Sequence, residues 1–304
     1  MKKLLIIPAA LTAAAAVFIE ELYRYTFCRE GSALLAPLLD KKGHEDAYYI
    51  RRDEAADRLR KRPCEPMQIR SARGERLSGK YYPAFGNRKR IAFIIHGYRS
   101  EHTETAGMYF DYYASRGFDV FGCDHTALGE SEGRFIGFDC FEADDCLLWI
   151  EALRRLCGED VQIILHGFSM GATTVMKMSD RCPPQVKAIV ADCGYADGAA
   201  QLRASVGPLY PVLRAINRIA AGYDLNASDV RPDLLRARLP ILFVHGQQDQ
   251  TVPYSNGPAL YAMYPGEKDC FFVKNARHVE SMYRDPQGYA DKLDRLIEKS
   301  ISFQ

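Results

Sequence analysis

Three residues, met along the chain in the order serine, aspartate, histidine, carry the chemistry that this sequence announces. Ser169 is the centre of Gly167-Phe168-Ser169-Met170-Gly171, Asp249 lies in His245-Gly246-Gln247-Gln248-Asp249-Gln250-Thr251-Val252-Pro253, and His278 follows in a later loop. A serine hydroxyl is a weak nucleophile until a base takes its proton, and the base needs a third group to fix its tautomer. Glycines two before and two after the serine suit a strand-to-helix turn so sharp that larger side chains would collide, which pushes the hydroxyl out of the fold. Together the three predict acyl transfer, with Ser169 as nucleophile, His278 as general base and Asp249 as the acid that orients it.

Other assignments compete with these. Asp192 also directly follows an apolar run, Val186 to Ala191, and is the alternative acid. His166 precedes the serine within its strand, and His96 and His245 begin glycine turns, so each is a weaker base than His278. Cys193 and Cys123 lack the glycine context of a nucleophile. Acyl transfer further needs hydrogen-bond donors for the oxyanion of the transition state. The backbone N–H of Met170, next after the nucleophile, is one expected donor. The backbone N–H of Tyr98, in the turn His96-Gly97-Tyr98, is the other.

These residues need elements to hold them. The continuous apolar run Ile91 to Ile95 predicts a strand covered on both faces, and the apolar-rich stretches Phe118 to Cys123, Val161 to Leu165, Val186 to Ala191, Ile241 to Val244 and Cys270 to Val273 predict the other strands. Met67 to Ser71 and Leu77 to Tyr82 predict an antiparallel hairpin before them. Helical spacing is read from about Thr103 to Ser115, Phe138 to Cys157, the serine turn to about Asp180, Pro258 to Tyr264 and from Pro286 onward. Alternating strands and helices require right-handed crossovers and a mainly parallel sheet with helices on both faces. Ser169, Asp249 and His278 each fall just past a strand end, where such sheets place their ligand crevice.

The remaining chain divides accordingly. Residues 67–304 form the main domain, 31–66 a charged helical connector, and 195–239, which lacks a strand-like run, a small helical lid. Leu202, Val206, Leu209, Tyr210, Leu213 and Ile216 in that stretch are either an apolar acyl pocket or core. Residues 1–30 open with Lys2-Lys3 and an apolar run from Leu4 to Ile19. As a helix that run reaches about 24 Å, short of a ~30 Å hydrocarbon core unless the membrane thins. An uncleaved membrane anchor with the catalytic domain outside the cytoplasm is the expectation, with a cleaved signal or a helix packed on a cytoplasmic domain as alternatives. A formal net charge of +1 with interspersed signs excludes a nucleic-acid footprint. Nine scattered cysteines without metal spacing indicate buried free thiols rather than a disulfide framework or zinc site. No cofactor and no metal are required.

The set His96-Gly97, Gly167-x-Ser169-x-Gly171, Asp249-x-x-Val252-Pro253 and His278 resembles the α/β-hydrolase superfamily from about Met67 to the end. Ala191-Asp192-Cys193, the modest lid and the apolar start look like bacterial serine hydrolases with an amino-terminal membrane segment, related to the serine aminopeptidase and prolyl-oligopeptidase-like branches. The resemblance implies an α/β fold with a mainly parallel eight-stranded sheet, a small helical lid, and a serine hydrolase of carboxylic esters or related small acyl compounds. One position departs: where relatives often read Asp-x-Arg-x-x-Gly-x-Ser, Asp124 to Ser131 carries Thr126 in place of the arginine. A peptidase, a thioesterase and an acyltransferase are alternatives on the same scaffold, and a non-enzymatic binding protein is a distant one.

Overall fold

The computed structural model describes residues 3–39 and 47–302, with the side chains of residues 3–12 and 39 outside the description. In chain order the helices are α1 (Lys3–Phe27), α2 (Ala36–Leu39), α3 (Ala47–Arg60), α4 (His102–Ala114), α5 (Glu142–Cys157), α6 (Met170–Lys177), α7 (Gly198–Val206), α8 (Tyr210–Ala220), α9 (Arg231–Arg236), α10 (Asn256–Met263), α11 (Ser281–Arg284) and α12 (Pro286–Ser300). The strands are β1 (Glu65–Arg70), β2 (Arg76–Tyr82), β3 (Arg90–Ile95), β4 (Asp119–Cys123), β5 (Gln162–Phe168), β6 (Val186–Asp192), β7 (Ile241–Gly246) and β8 (Lys268–Val273).

All eight strands join one sheet in the order β1-β2-β4-β3-β5-β6-β7-β8. The β1–β2 and β2–β4 pairings are antiparallel and the others parallel. The apolar runs other than that of the edge strand β8 are inner strands because both faces are covered. On one face Phe93, Leu165, Ile189 and Phe243 pack with Trp149 and Ile150 of α5 and Val175 of α6. On the other, Ile94, Ile164, Val190 and Leu242 pack with Tyr113 of α4 and Leu293 of α12. After β3 the chain crosses to β4 on one side, then returns to β5 on the other. Crevices open at such a reversal, so the loops after β3 and β5 face each other across the site.

Helix α5 starts at Glu142 rather than Phe138, because Phe138 (φ 50°) and Asp139 (φ 68°) hold left-handed backbone before it. Its first turn buries carboxylates. Asp145 is 4% exposed, its carboxylate accepts the Thr126 hydroxyl at 2.8 Å, and burial pushes its pKa up to about 7, with Glu142 adding to the rise. The unfolded carboxyl loses its proton near pH 4 and the folded one near 7. Native protein therefore holds the extra proton in that window, and stability falls as pH rises through it. The expected outcome is that Asp145→Asn gains stability over the parent by roughly 3 kcal/mol between pH 5 and pH 8. Parallel urea titrations at the two pH values read this, and a constant difference would contradict it.

The amino-terminal expectation needs correction. Among the described residues no helix is long and apolar enough to cross a membrane. The carboxyl-terminal turns of α1 are instead docked on the domain: Tyr23, Phe27 and Cys28 are buried against Phe138, Leu202, Tyr210 and Leu213. The membrane anchor over residues 1–30, and the extracytoplasmic placement that depended on it, therefore lack support, while the side chains of residues 3–12 lie outside the description. The nine cysteines are free, but Cys64, Cys140, Cys157, Cys182 and Cys270 are only half-buried, so the expectation of uniformly buried thiols holds for four.

Candidate active site

The turn after β5 is built as tightly as its glycines imply. Ser169 has φ 55° and ψ −117°, a conformation costly for any residue with a side chain. A Cβ on Gly167 would sit 2.1 Å from the Gly171 carbonyl oxygen, and one on Gly171 would sit 2.2 Å from that of Ile95. No side chain fits either place. Gly171→Ala is thus expected to yield insoluble or unfolded protein, which expression and circular dichroism would show, while a well-folded variant would mean that the β3–α6 contact is looser than drawn. The strained backbone is held by a hydrogen bond from Ser169 N–H to the Asp192 carbonyl at 2.8 Å.

The three sequence-selected residues meet. His278 Nε2 lies 2.9 Å from Ser169 Oγ, and His278 Nδ1 lies 2.6 Å from Asp249 Oδ2. With the carboxylate accepting from Nδ1–H, Nε2 is left to accept the serine proton. Asp249 is buried, which by itself raises its pKa, yet hydrogen bonds from His245 and His278 and the backbone N–H of Val252 hold it well below the usual carboxylate range. Its Oδ1 accepts from the N–H groups of Thr251 and Val252, both at 2.9 Å. Those bonds are why the loop Asp249-x-x-Val252-Pro253 has its shape: the side chain closes a turn on itself and leaves one oxygen for the histidine.

Asp192 is placed elsewhere. Its Oδ2 accepts from Tyr289 O–H at 2.8 Å rather than from His278. Tyr289 oxygen lies 2.9 Å from His166 Nε2, and Tyr113 O–H lies 2.9 Å from His166 Nδ1. This buried relay, Tyr113 to His166 to Tyr289 to Asp192, braces the floor beneath the serine turn. Burial pushes the Asp192 carboxyl up and the His166 imidazole well down, so neither carries charge readily. The His96 and His125 ring centres lie 4.5 Å apart, with the rings tilted by 56°, and burial pushes the His96 imidazole down.

Met170 opens α6, so its N–H is one of the unpaired donors at a helix start. Tyr98 stands in the facing loop and lines the same cavity, while its hydroxyl donates to the Thr26 carbonyl at 2.9 Å at the end of α1. Between them Gly97 comes so close that a Cβ there would be 3.1 Å from Ser169 Cβ. The loop with Thr126 in the arginine's position is closed by Asp124. Its carboxylate takes the His102 N–H at 2.9 Å and the Glu130 N–H at 2.8 Å, and its carbonyl takes the Ser131 hydroxyl at 2.6 Å.

Two neighbours were given no role at the site by the sequence reading. Cys193 (φ 56°) puts its sulfur within 4.8 Å of ligand atoms of both Asp249 and His278, a set able to hold a metal ion. As it stands that sulfur accepts the Val279 N–H at 3.4 Å, so it positions the residue after His278. Its place one residue past a strand end was visible in the sequence, but it pointed to no role without the glycine context of a nucleophile. The second is α3. A cavity of about 220 Å³ opens onto Ser169 and His278, walled by Tyr48, Tyr49 and Arg52 of α3, Met108 of α4 and Tyr283 of α11. None of residues 195–239 lines it. Leu202, Tyr210 and Leu213 instead pack against α1, with Val206 and Ile216 beside them.

Residues 86–223 match the family described as serine aminopeptidase, S33. Similar curated proteins include YqkD of Bacillus subtilis, itself described as uncharacterized, 25% identical over 76% of this chain and 78% of that one. Alpha/beta hydrolase domain-containing protein 17C of Homo sapiens is 23% identical over 75% of this chain and 63% of that one. Among solved structures, the esterase Pf2001 of Pyrococcus furiosus superposes with a TM-score of 0.63 at 18% identity, covering 79% of this chain and 92% of that one. Est1E of Butyrivibrio proteoclasticus, solved with ferulic acid bound, gives 0.59 at 19% identity, covering 76% and 99%. The fold is the expected one, a mostly parallel eight-stranded sheet flanked by helices.

Proposed function

We propose that this chain, which has the α/β-hydrolase fold, is a serine hydrolase that cleaves carboxylic esters through an acyl-enzyme. The observation that carries the reading is the continuous contact from Ser169 Oγ to His278 Nε2 at 2.9 Å and from His278 Nδ1 to Asp249 at 2.6 Å. In the first half-reaction Ser169 Oγ attacks the ester carbonyl while Nε2 takes its proton. The oxyanion forms between the backbone N–H groups of Met170 and Tyr98. On collapse the C–O bond to the alcohol breaks, and Nε2 returns the proton to the departing oxygen. Water, deprotonated by the same nitrogen, then attacks the acyl carbonyl and frees Ser169.

The ionised Asp249 stabilises the imidazolium that forms in each half. Cleavage of an amide next to a free amino terminus is the second reading, favoured by the family match over residues 86–223. Against it, the carboxylate in the cavity, Glu104, lies 3.3 Å from the Arg52 guanidinium and so is already neutralised. A fluorophosphonate probe is expected to label Ser169 stoichiometrically, with hydrolysis of p-nitrophenyl esters lost in step. Folded protein that resists the probe would sink the proposal, and faster turnover of amino-acid amides than of esters would move it to the second reading.

A further inference from the structure

Helix α3 lies before the residues of the family match, yet it is pressed onto the domain. At Gly107 of α4 a Cβ would come within 2.7 Å of the Ala55 carbonyl group, so the two helices touch backbone to backbone. Ala55, Ala56 and Leu59 are buried in that contact. Around it Arg60 pairs with Glu101, Arg62 pairs with Asp111 at 2.8 Å, and the Arg62 guanidinium lies 4.1 Å from the Phe110 ring centre. A helix merely linking two parts would need none of these.

The docked helix turns one face to the nucleophile. Tyr48, 7% exposed, packs edge-on to Tyr283 with ring centres 5.9 Å apart, and together they close the cavity opposite Ser169. Met108 and Met282 supply the apolar walls beside them. Arg52, the one cation of α3 in the wall, is paired with Asp53 at 2.8 Å and Glu104 at 3.3 Å, so the lining offers no unmatched charge to a substrate. The volume of about 220 Å³ lies below the span usual for drug-sized ligands.

We propose that α3 is the specificity wall of the site at Ser169, restricting the acyl group to a compact, uncharged one of roughly six to eight carbons or a single aryl ring. The proposal rests on the serine-hydrolase reading, and its test separates the two. Full-length protein is assayed on p-nitrophenyl esters from acetate to palmitate and on the benzoate, with fluorophosphonate labelling in parallel. For the parent, kcat/KM is expected to fall by about tenfold or more between octanoate and dodecanoate. Tyr48→Ala, which removes one of the two tyrosines of α3 in the wall, is expected to cut that ratio to about threefold or less. Tyr49→Ala, in the same wall of α3, gives the same readout should the first variant fail to fold. Labelled, active variants that keep the parent's chain-length profile would overturn the role of α3. A parent that neither labels nor hydrolyses would overturn the hydrolase reading, and the acyl assignment with it.

Discussion

Ser169→Ala is expected to lower kcat on p-nitrophenyl esters by about 10⁶-fold while the protein stays folded, because removing the nucleophile of a cooperating triad costs about as much as removing the whole set. The fold should survive because the serine hydroxyl contributes little to packing. It bonds to His278 Nε2, and the residue is only half-buried. What the turn needs is the backbone at φ 55° and the glycines on either side, and alanine keeps both. Steady-state kinetics with a melting curve on the same preparation read the result. Comparable rates for variant and parent would remove Ser169 from the mechanism, and with it the case for an acyl-enzyme.

Asp249→Asn should be the next largest loss, about 10⁴-fold in kcat, since an amide can present N–H to His278 Nδ1 and leave the proton on the wrong nitrogen. The control is Asp192→Asn. Its carboxylate is spent on Tyr289 beneath the serine turn, so the substitution is expected to cost about 1 to 3 kcal/mol of stability and no more than about tenfold in rate. Rates at saturating ester and urea midpoints for both variants check the pair. The opposite ranking of activities would make Asp192 the acid and Asp249 a loop-closing residue.

Much of the site was legible because its signals are local. Gly167 and Gly171 flank Ser169 for a steric reason that acts within five residues, and the apolar run before them lies within β5, which continues to Phe168. The inner parallel strands β3 and β5 to β7 were likewise readable, since a strand buried on both faces is apolar along most of its length. The amino-terminal segment shows the limit of a local signal. Leu4 to Ile19 is apolar locally, but what a helix touches depends on remote segments, and the buried Tyr23 and Phe27 of α1 lie beyond that run, against Leu202, Tyr210 and Leu213. The lid stretch shows the complementary effect: its apolar side chains met α1 rather than the cavity.

The sequence by itself determined the order of chemical groups, the strand ends that carry them and the turn that exposes Ser169, all consequences of chain stereochemistry and periodicity. Only the tertiary structure decided that Asp249 rather than Asp192 meets His278, that Cys193 stands beside that pair, and that α3 walls the cavity. Each of these is a distance between segments far apart in the chain. Such distances are set by sheet order and helix packing, where the reversal between β3 and β5 and a missing side chain at Gly107 bring remote residues within contact.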